Sequence, residues 1–302
     1  MNTKDSLMII DGMALLFRGY YATSYSGYIM KTSKGIPTNA IYGFVKYMQD
    51  AIRTFQPTHV LCCWDMGART FRNELYPAYK ANRGEAPDEL IPQFDLVKRV
   101  VEYFDIPNIG IEGFEADDCI GTLAKKYSQE MQIQILTGDH DSLQLINENT
   151  HSIIMKKGMS NYEVYTLEKL LEEKELTPAQ FIDLKGLMGD TSDNFPGVKG
   201  IGEKTAIKLL KEYGSIEGIL ENLPKLSKGI RTKIETELDM LHLSRKLAEI
   251  HCEVPVEIEI QKCIRSIDEA RVTEIFEELE FHRLLKDKSF LEGLKVNIQP
   301  LC

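Results

Sequence analysis

The residues of this chain whose type and spacing could do chemistry are its carboxylates. Asp11 follows the apolar run at 7–10 (LMII), Asp65 follows 60–64 (VLCCW), and Asp139 and Asp141 follow 133–136 (IQIL). Glu115, Asp117 and Asp118 open a helical pattern in GFEADDCIGTLA, and Asp190 and Asp193 stand one helical turn apart in GLMGDTSDN. Singly, each cluster has a structural explanation: an acid after a strand caps the next helix, and acids in a first helical turn favour its dipole. Together they ask for more, because nine carboxylates in one crevice would repel and raise one another's pKa values unless cations lay among them. An oxygen-only donor set favours Mg²⁺ or Mn²⁺ over zinc. Two such ions can activate a water and stabilise the leaving oxygen of a phosphodiester.

The elements that must position these acids follow from the hydrophobic pattern. Short apolar runs at 7–10, 60–64, 108–111 and 133–136 read as buried strands, with further strands at 151–155 and 162–165. Between them, helical periodicity covers 38–54, 88–104 and 116–130. The pattern after Asp11-Gly12 reads as a loop. Strands alternating with helices imply an α/β fold with a mainly parallel sheet covered by helices on both faces. Ligand sites in such sheets gather beyond the carboxyl ends of the strands, where Asp11, Asp65, Asp139 and Asp141 fall. From about 170 the pattern is helical: 167–174, 178–188, 203–212, 215–221, 228–236 and 239–250, then an extended VPVEIEI at 254–260 and a last helix at 268–286. The expected division is an α/β core at 1–170 and a helical part at 171–302.

Two further segments point to nucleic acid. Residues 69–83 (RTFRNELYPAYKANR) interleave Arg69, Arg72, Lys80 and Arg83 with Phe71, Tyr76 and Tyr79, without core periodicity. Cations engage phosphates and aromatic faces stack on unpaired bases. Residues 197–206 read GVKGIGEKTA. Gly200 and Gly202 permit a tight turn and close backbone approach to a phosphate, and Lys199 and Lys204 add charge. Backbone N–H groups at the start of the following helix complete an anion grip. Such a hairpin holds a duplex backbone without reading sequence.

Bulk composition narrows the class. The chain has 302 residues and a net charge of −10, which argues against nucleic acid unless distribution outweighs the sum; the basic residues bunch at 69–83 and 199–211. Six cysteines without a C-x-x-C pair read as reduced thiols. No apolar run reaches the roughly 18–20 residues of a membrane span, and the start lacks a signal-peptide pattern, so a cytoplasmic location is expected. An aspartyl-nucleophile phosphatase would want D-x-D-x-T after the first strand, and Asp11-Gly-Met-Ala does not supply it. A non-catalytic junction-binding module and an RNA-directed nuclease with a related acidic core remain as alternatives.

IIDGMALLFRGYYA, GIPTNAIYGF, TFRNELYPAYKANR, GFEADDCIGTLA, ILTGDHDSLQLI and MGDTSDNFPGVKGIGEKTA occur in that order. On these motifs the chain resembles the 5′-nuclease (flap endonuclease) family, including the N-terminal 5′-3′ exonuclease domain of bacterial DNA polymerase I and its free-standing relatives. The resemblance implies a PIN-like core, an arch at about 69–105 and a helix–hairpin–helix at about 185–213. It places Asp11, Asp65, Glu115, Asp117, Asp118, Asp139, Asp141, Asp190 and Asp193 at metal-ligand positions, with Lys80, Arg83 and Lys185 as catalytic cations. It implies DNA contacts from Arg18, Arg72 and Tyr79 and from the hairpin residues Gly197, Val198, Lys199, Gly200, Ile201, Gly202, Lys204 and Thr205. It further implies a K⁺ ion held by hairpin carbonyls, and a monomer that cuts 5′ flaps, junctions and 5′ ends of DNA in replication and repair. Met13, Trp64, His140 and Ser142 depart from the family pattern at positions beside the acids.

Overall fold

The computed structural model describes residues 5–287 apart from Ser26 and Ala68. In chain order the elements of the core are β1 (Ser6–Asp11), α1 (Gly12–Ser24), α2 (Asn39–Phe55), β2 (His59–Cys63), α3 (Phe71–Leu75), α4 (Gln93–Tyr103), β3 (Asn108–Ile109), α5 (Ala116–Tyr127), β4 (Gln132–Thr137), β5 (Thr150–Met155) and β6 (Tyr162–Tyr165). Helices follow: α6 (Leu167–Lys174), α7 (Pro178–Met188), α8 (Glu203–Tyr213), α9 (Ile216–Glu221), α10 (Lys228–Thr236), α11 (Leu238–Ala248), α12 (Glu269–Glu278) and α13 (His282–Lys286). The strands form one sheet in the order β3-β2-β1-β4-β5-β6. Every pairing is parallel except β5 with β6.

Alternation along β1 explains why the sheet is covered on both faces. Met8 and Ile10 join the core beneath α1, α2 and α4, while Leu7 and Ile9 join the core beneath α5. In register, Val60 and Cys62 of β2 follow the first set, and Leu61 and Cys63 the second. The helical part has its own core, built from Leu184, Leu187, Val198, Leu210, Ile216 and Leu241 among others.

The loop expected after Asp11 is instead α1, a 13-residue helix that begins at once. Its buried residues Gly12, Leu15, Leu16, Gly19 and Tyr20 follow helical spacing, but two of the five are glycines. Those glycines are packing residues. A Cβ on Gly19 would stand 2.4 Å from the Ala40 carbonyl, and one on Gly43 would stand 2.5 Å from the Gly19 Cα, so α1 and α2 meet backbone to backbone. The final helix breaks in two, with Glu280 between α12 and α13 at φ 57°. Residues 254–260 join no ladder; Val254 and Val256 pack on the α5 side of the sheet. The segment at 69–83 contains α3, which the absence of core periodicity concealed. Its Arg72 is buried.

Candidate active site

Asp11 caps the next helix, as the structural explanation requires, while Asp65 reaches past α3 and α4 to the start of α5; both also face the site. Asp11 ends β1, and its Oδ1 accepts the Ala14 N–H at 2.9 Å at the start of α1. Its Oδ2 accepts the Thr137 hydroxyl at 2.7 Å from the neighbouring strand β4. Asp65, beyond β2, accepts the Ala116 N–H at 2.7 Å at the start of α5. Asp139, beyond β4, accepts the Asp141 N–H at 2.9 Å. Capping thus fixes the direction in which each carboxylate points.

Asp11, Asp65, Glu115, Asp117, Asp139 and Asp141 line one cavity of about 840 Å³, together with Phe17, Lys80, Arg83, His140 and Lys185. The acids come from four separate segments and converge at the carboxyl edge of β1, β2 and β4. Asp190 and Asp193 do not line that cavity, but each brings a carboxylate oxygen within 4.8 Å of the others and of Asp141. The hairpin-like bridge between Asp190 and Phe195 holds this corner.

Cationic side chains rest on the acids. Lys185, from α7, donates to Asp190 at 2.5 Å and also to Asp141. Lys80 donates to Glu115 at 2.8 Å, and Arg83 to Asp193 at 2.7 Å. Burial works against the charge on each of these bases, and the facing carboxylates more than offset it, so all three are held above their ordinary pKa. The carboxylates themselves remain short of positive charge. Burial, with Asp65 and Asp139 nearby, lifts Asp11 to about 6. Burial and the Asp139 charge lift Asp141 to about 6, even with Lys185 against it. Asp117 is pushed well up by burial and then by Asp11 and Asp139. Asp190 is the exception: burial would raise it, but Lys185 and Ser192 together hold it at about 2. A set of oxygen donors that still seeks protons beside three cations fits divalent metal ions.

Three expected assignments need correction. Asp118 is fully buried, and both of its oxygens are in use: Arg72 binds them at 2.8 Å each, while the N–H groups of Glu115 and His251 complete them. It has no lone pair facing the cavity, so it is not placed to ligate a metal. Arg72, expected on DNA, is the other half of this pair and is only 2% exposed. Its guanidinium also donates to the carbonyls of Leu247 and Glu249 at the C-terminal end of α11. Tyr79 offers no stacking face: it is buried against Phe195, with its hydroxyl 3.0 Å from Asp193 and 3.3 Å from Glu115. Arg18 is placed apart from the cavity lining, where it donates to the carbonyls of Met155 and Gly158 and lies over the Tyr47 ring.

Away from the cavity, residues 197–202 make a turn between α7 and α8. Val198 and Ile201 are buried anchors of the helical core. The Gly197 N–H is bound by Ser244 of α11, and the Thr205 N–H by Gly202. Among the described residues the N–H groups of Lys199, Gly200 and Gly202 have no acceptor in the protein, and the side chains of Lys199 and Lys204 are exposed. Lys233 reaches over from α10 to donate to the Gly200 carbonyl at 2.8 Å. This contact joins the hairpin to a helix the motif does not include, and sequence spacing gives no sign of it.

A mainly parallel sheet that delivers clustered carboxylates to one edge, beside a glycine turn with unused amides, is the architecture of a metal-dependent nuclease. Residues 6–175 match the family model described as the 5′-3′ exonuclease, N-terminal resolvase-like domain, and residues 176–270 match the 5′-3′ exonuclease, C-terminal SAM fold. The chain belongs to the 5′-3′ exonuclease family. It is 48% identical over 291 residues to a 5′-3′ exonuclease of Bacillus subtilis, covering 96% of this chain and 97% of that protein. It is 40% identical over 296 residues to DNA polymerase I of Bacillus caldotenax, where it spans 97% of its own length but only 32% of the polymerase. Among solved structures, the bacteriophage T5 flap endonuclease in a pseudo-enzyme-product complex with DNA and metal ions has a TM-score of 0.66 at 21% identity, covering 96% of this chain and 99% of that one. Flap endonuclease-1 from Methanococcus jannaschii has a TM-score of 0.61 at 19% identity, covering 96% and 92%. These two likenesses establish the fold. Among the described residues no helix is long and apolar enough to cross a membrane.

Proposed function

We propose that the protein is a structure-specific 5′-3′ exonuclease and flap endonuclease that hydrolyses DNA phosphodiester bonds near single-strand/duplex junctions. The observation that carries this reading is the convergence of Asp11, Asp65, Glu115, Asp117, Asp139 and Asp141 on one cavity whose wall also holds Lys80, Arg83 and Lys185. These acids, with Asp190 and Asp193, would hold two or more Mg²⁺ ions, with Mn²⁺ as a substitute. When bound, such ions supply a water of lowered pKa and neutralise the departing 3′-oxygen.

The chain's own residues do the rest. Lys80 and Arg83 sit on Glu115 and Asp193 and face the cavity, so once drawn off those acids they meet the scissile phosphate and stabilise its developing charge. Lys185 balances Asp141 and Asp190 until cations take its place. The free amides of Lys199, Gly200 and Gly202, with Lys199 and Lys204, grip one strand of the duplex and hold it at a fixed distance from the acids. A K⁺ ion at the hairpin carbonyls would serve the same grip. The products carry 5′-phosphate and 3′-hydroxyl ends. The protein acts as a monomer in the cytoplasm, in replication and repair; what supports an exonuclease reading is the match, over nearly its full length, to a 5′-3′ exonuclease of Bacillus subtilis.

A 5′-flap substrate and its blunt duplex control, each incubated with Mg²⁺ or with excess EDTA, test the proposal. Cleavage of the flap at the junction only with Mg²⁺ is expected. Asp139→Ala and Asp141→Ala should each nearly abolish it while circular dichroism stays unchanged. Full activity in EDTA would remove the metal-dependent reading, and binding without any cutting would favour the junction-binding module.

A further inference from the structure

Asp118 sits three residues from Glu115, among ligand acids, yet reaches no cavity. What it touches is a guanidinium that threatens a ligand. The Arg72 Nη1 lies 2.8 Å from Asp118 and 3.7 Å from the Glu115 Oε2. Arg72 cannot swing away, because the carbonyls of Leu247 and Glu249 hold it at 3.1 and 2.8 Å. Nor can it shed its charge, since a guanidinium stays protonated under all working conditions. A buried guanidinium needs a carboxylate, and two are within reach. Asp118 supplies a bidentate partner with both oxygens at 2.8 Å, the stronger arrangement. Glu115 is thereby left to face the cavity, where Lys80 holds the same Oε2 at 2.8 Å. The Asp118 Oδ2 also accepts the Glu115 N–H at 3.0 Å, which fixes the backbone from which that ligand projects.

We propose that Asp118 is a positioning residue: by claiming Arg72 it keeps Glu115 available to the divalent ions of the site. This inference rests on the metal-dependent reading above. Without the Asp118 charge, Glu115 closes the gap from 3.7 Å to hydrogen-bonding distance of Arg72 and turns from the cavity. The arrangement also reaches past the core, since α11, whose end holds Arg72, binds the hairpin through Ser244 and Gly197.

The test separates a positioning role from direct ligation and does not depend on catalysis. Mn²⁺ binding to the DNA-free protein is followed by the electron paramagnetic resonance signal of free Mn²⁺, for wild type, Asp118→Asn and the double variant Asp118→Asn/Arg72→Met. Loss of a group that orients a metal ligand typically costs about 10–100-fold in affinity, and Asp118→Asn is expected to fall in that range. The double variant, with no guanidinium to capture Glu115, is expected to regain most of the loss. A double variant as weak as the single one would make Asp118 itself a ligand and overturn the proposal. So would an Asp118→Asn protein that binds Mn²⁺ as wild type does. If the single variant does not fold, the double variant decides alone, against wild type. A wild-type chain that binds no Mn²⁺ defeats the metal-dependent reading, and this inference with it.

Discussion

Gly197→Ala should disable the protein through a contact made by backbone atoms alone. Gly197 has φ 63°, in the left-handed region, and lies against the end of α7. A Cβ placed there would stand 2.2 Å from the Gly189 amide nitrogen, 2.6 Å from the Met188 carbonyl carbon and 2.7 Å from the Leu187 oxygen. All three atoms are backbone, so no side chain can rotate to make room. The left-handed conformation costs an alanine about 1–2 kcal/mol. Forced overpacking adds roughly 1–3 kcal/mol. The total is on the order of 2–5 kcal/mol, enough to lower the melting temperature by about 3–8 °C in a chain of this size. Relief requires the turn to move off α7, and the residues between them are Asp190 to Pro196. Asp190 and Asp193 would then lose their places beside Asp141, and flap cleavage should fall with stability. Gly202→Ala is the control: its φ is −97° and a Cβ there meets nothing within 4 Å, so the loss should be no more than about 1 kcal/mol, that of a poorer residue at the N-cap of α8. Thermal melting and a flap-cleavage assay of both variants, below their melting temperatures, provide the comparison. A Gly197→Ala protein as stable as Gly202→Ala would refute the packing argument.

Three other outcomes are expected. Lys204→Ala should weaken duplex binding and reduce the slope of log affinity against log salt by about one, as loss of one phosphate contact requires; an unchanged slope would remove Lys204 from the interface. Asp11 and Asp141 have folded pKa values near 6, above their unfolded values, so their cost to the metal-free fold is present above that pH and disappears as they take up protons below it. The stabilisation conferred by added Mg²⁺ in thermal melting should therefore be large at pH 7.5 and shrink as pH falls through about 6; an increment independent of pH would contradict the crowding of these acids. Lys185→Met should raise the pKa of Asp190 from about 2 toward the ordinary carboxylate range, visible by carbon-13 NMR of the metal-free protein. A carboxyl that titrates unchanged would show that Ser192 alone holds it down.

The strand-end acids could be found from sequence because a strand buried on both faces reads as a short apolar run, and the residue that follows it is then fixed at the sheet edge. Asp11, Asp65 and Asp139 needed no more than that. The crossing of α1 and α2 could not be found the same way, because Gly19 and Gly43 contribute backbone contact and no apolar side chain to count. Arg72 and Tyr79 were misplaced for a related reason. In a basic, aromatic segment without periodicity, a buried charge looks like an exposed one, and only its partner, 46 residues away at Asp118, distinguishes them. Asp118 looked like one more ligand because it stands in sequence beside Glu115 and Asp117 and at a metal-ligand position of the family pattern. The hairpin was legible from its glycines, whereas its tie to Lys233 joins residues 33 apart on a separate helix.

Asp141 belongs to the segment after β4, while its close neighbours Asp190 and Asp193 follow α7 in the helical part. Neither stretch of the polypeptide owns the complete set of acids. A chain interrupted near residue 170 would hold all six strands but lack Asp190 and Asp193, and with them the residues from 254 onward that complete the cores on both faces of the sheet. The full set of acids therefore exists only where both stretches are folded and in contact.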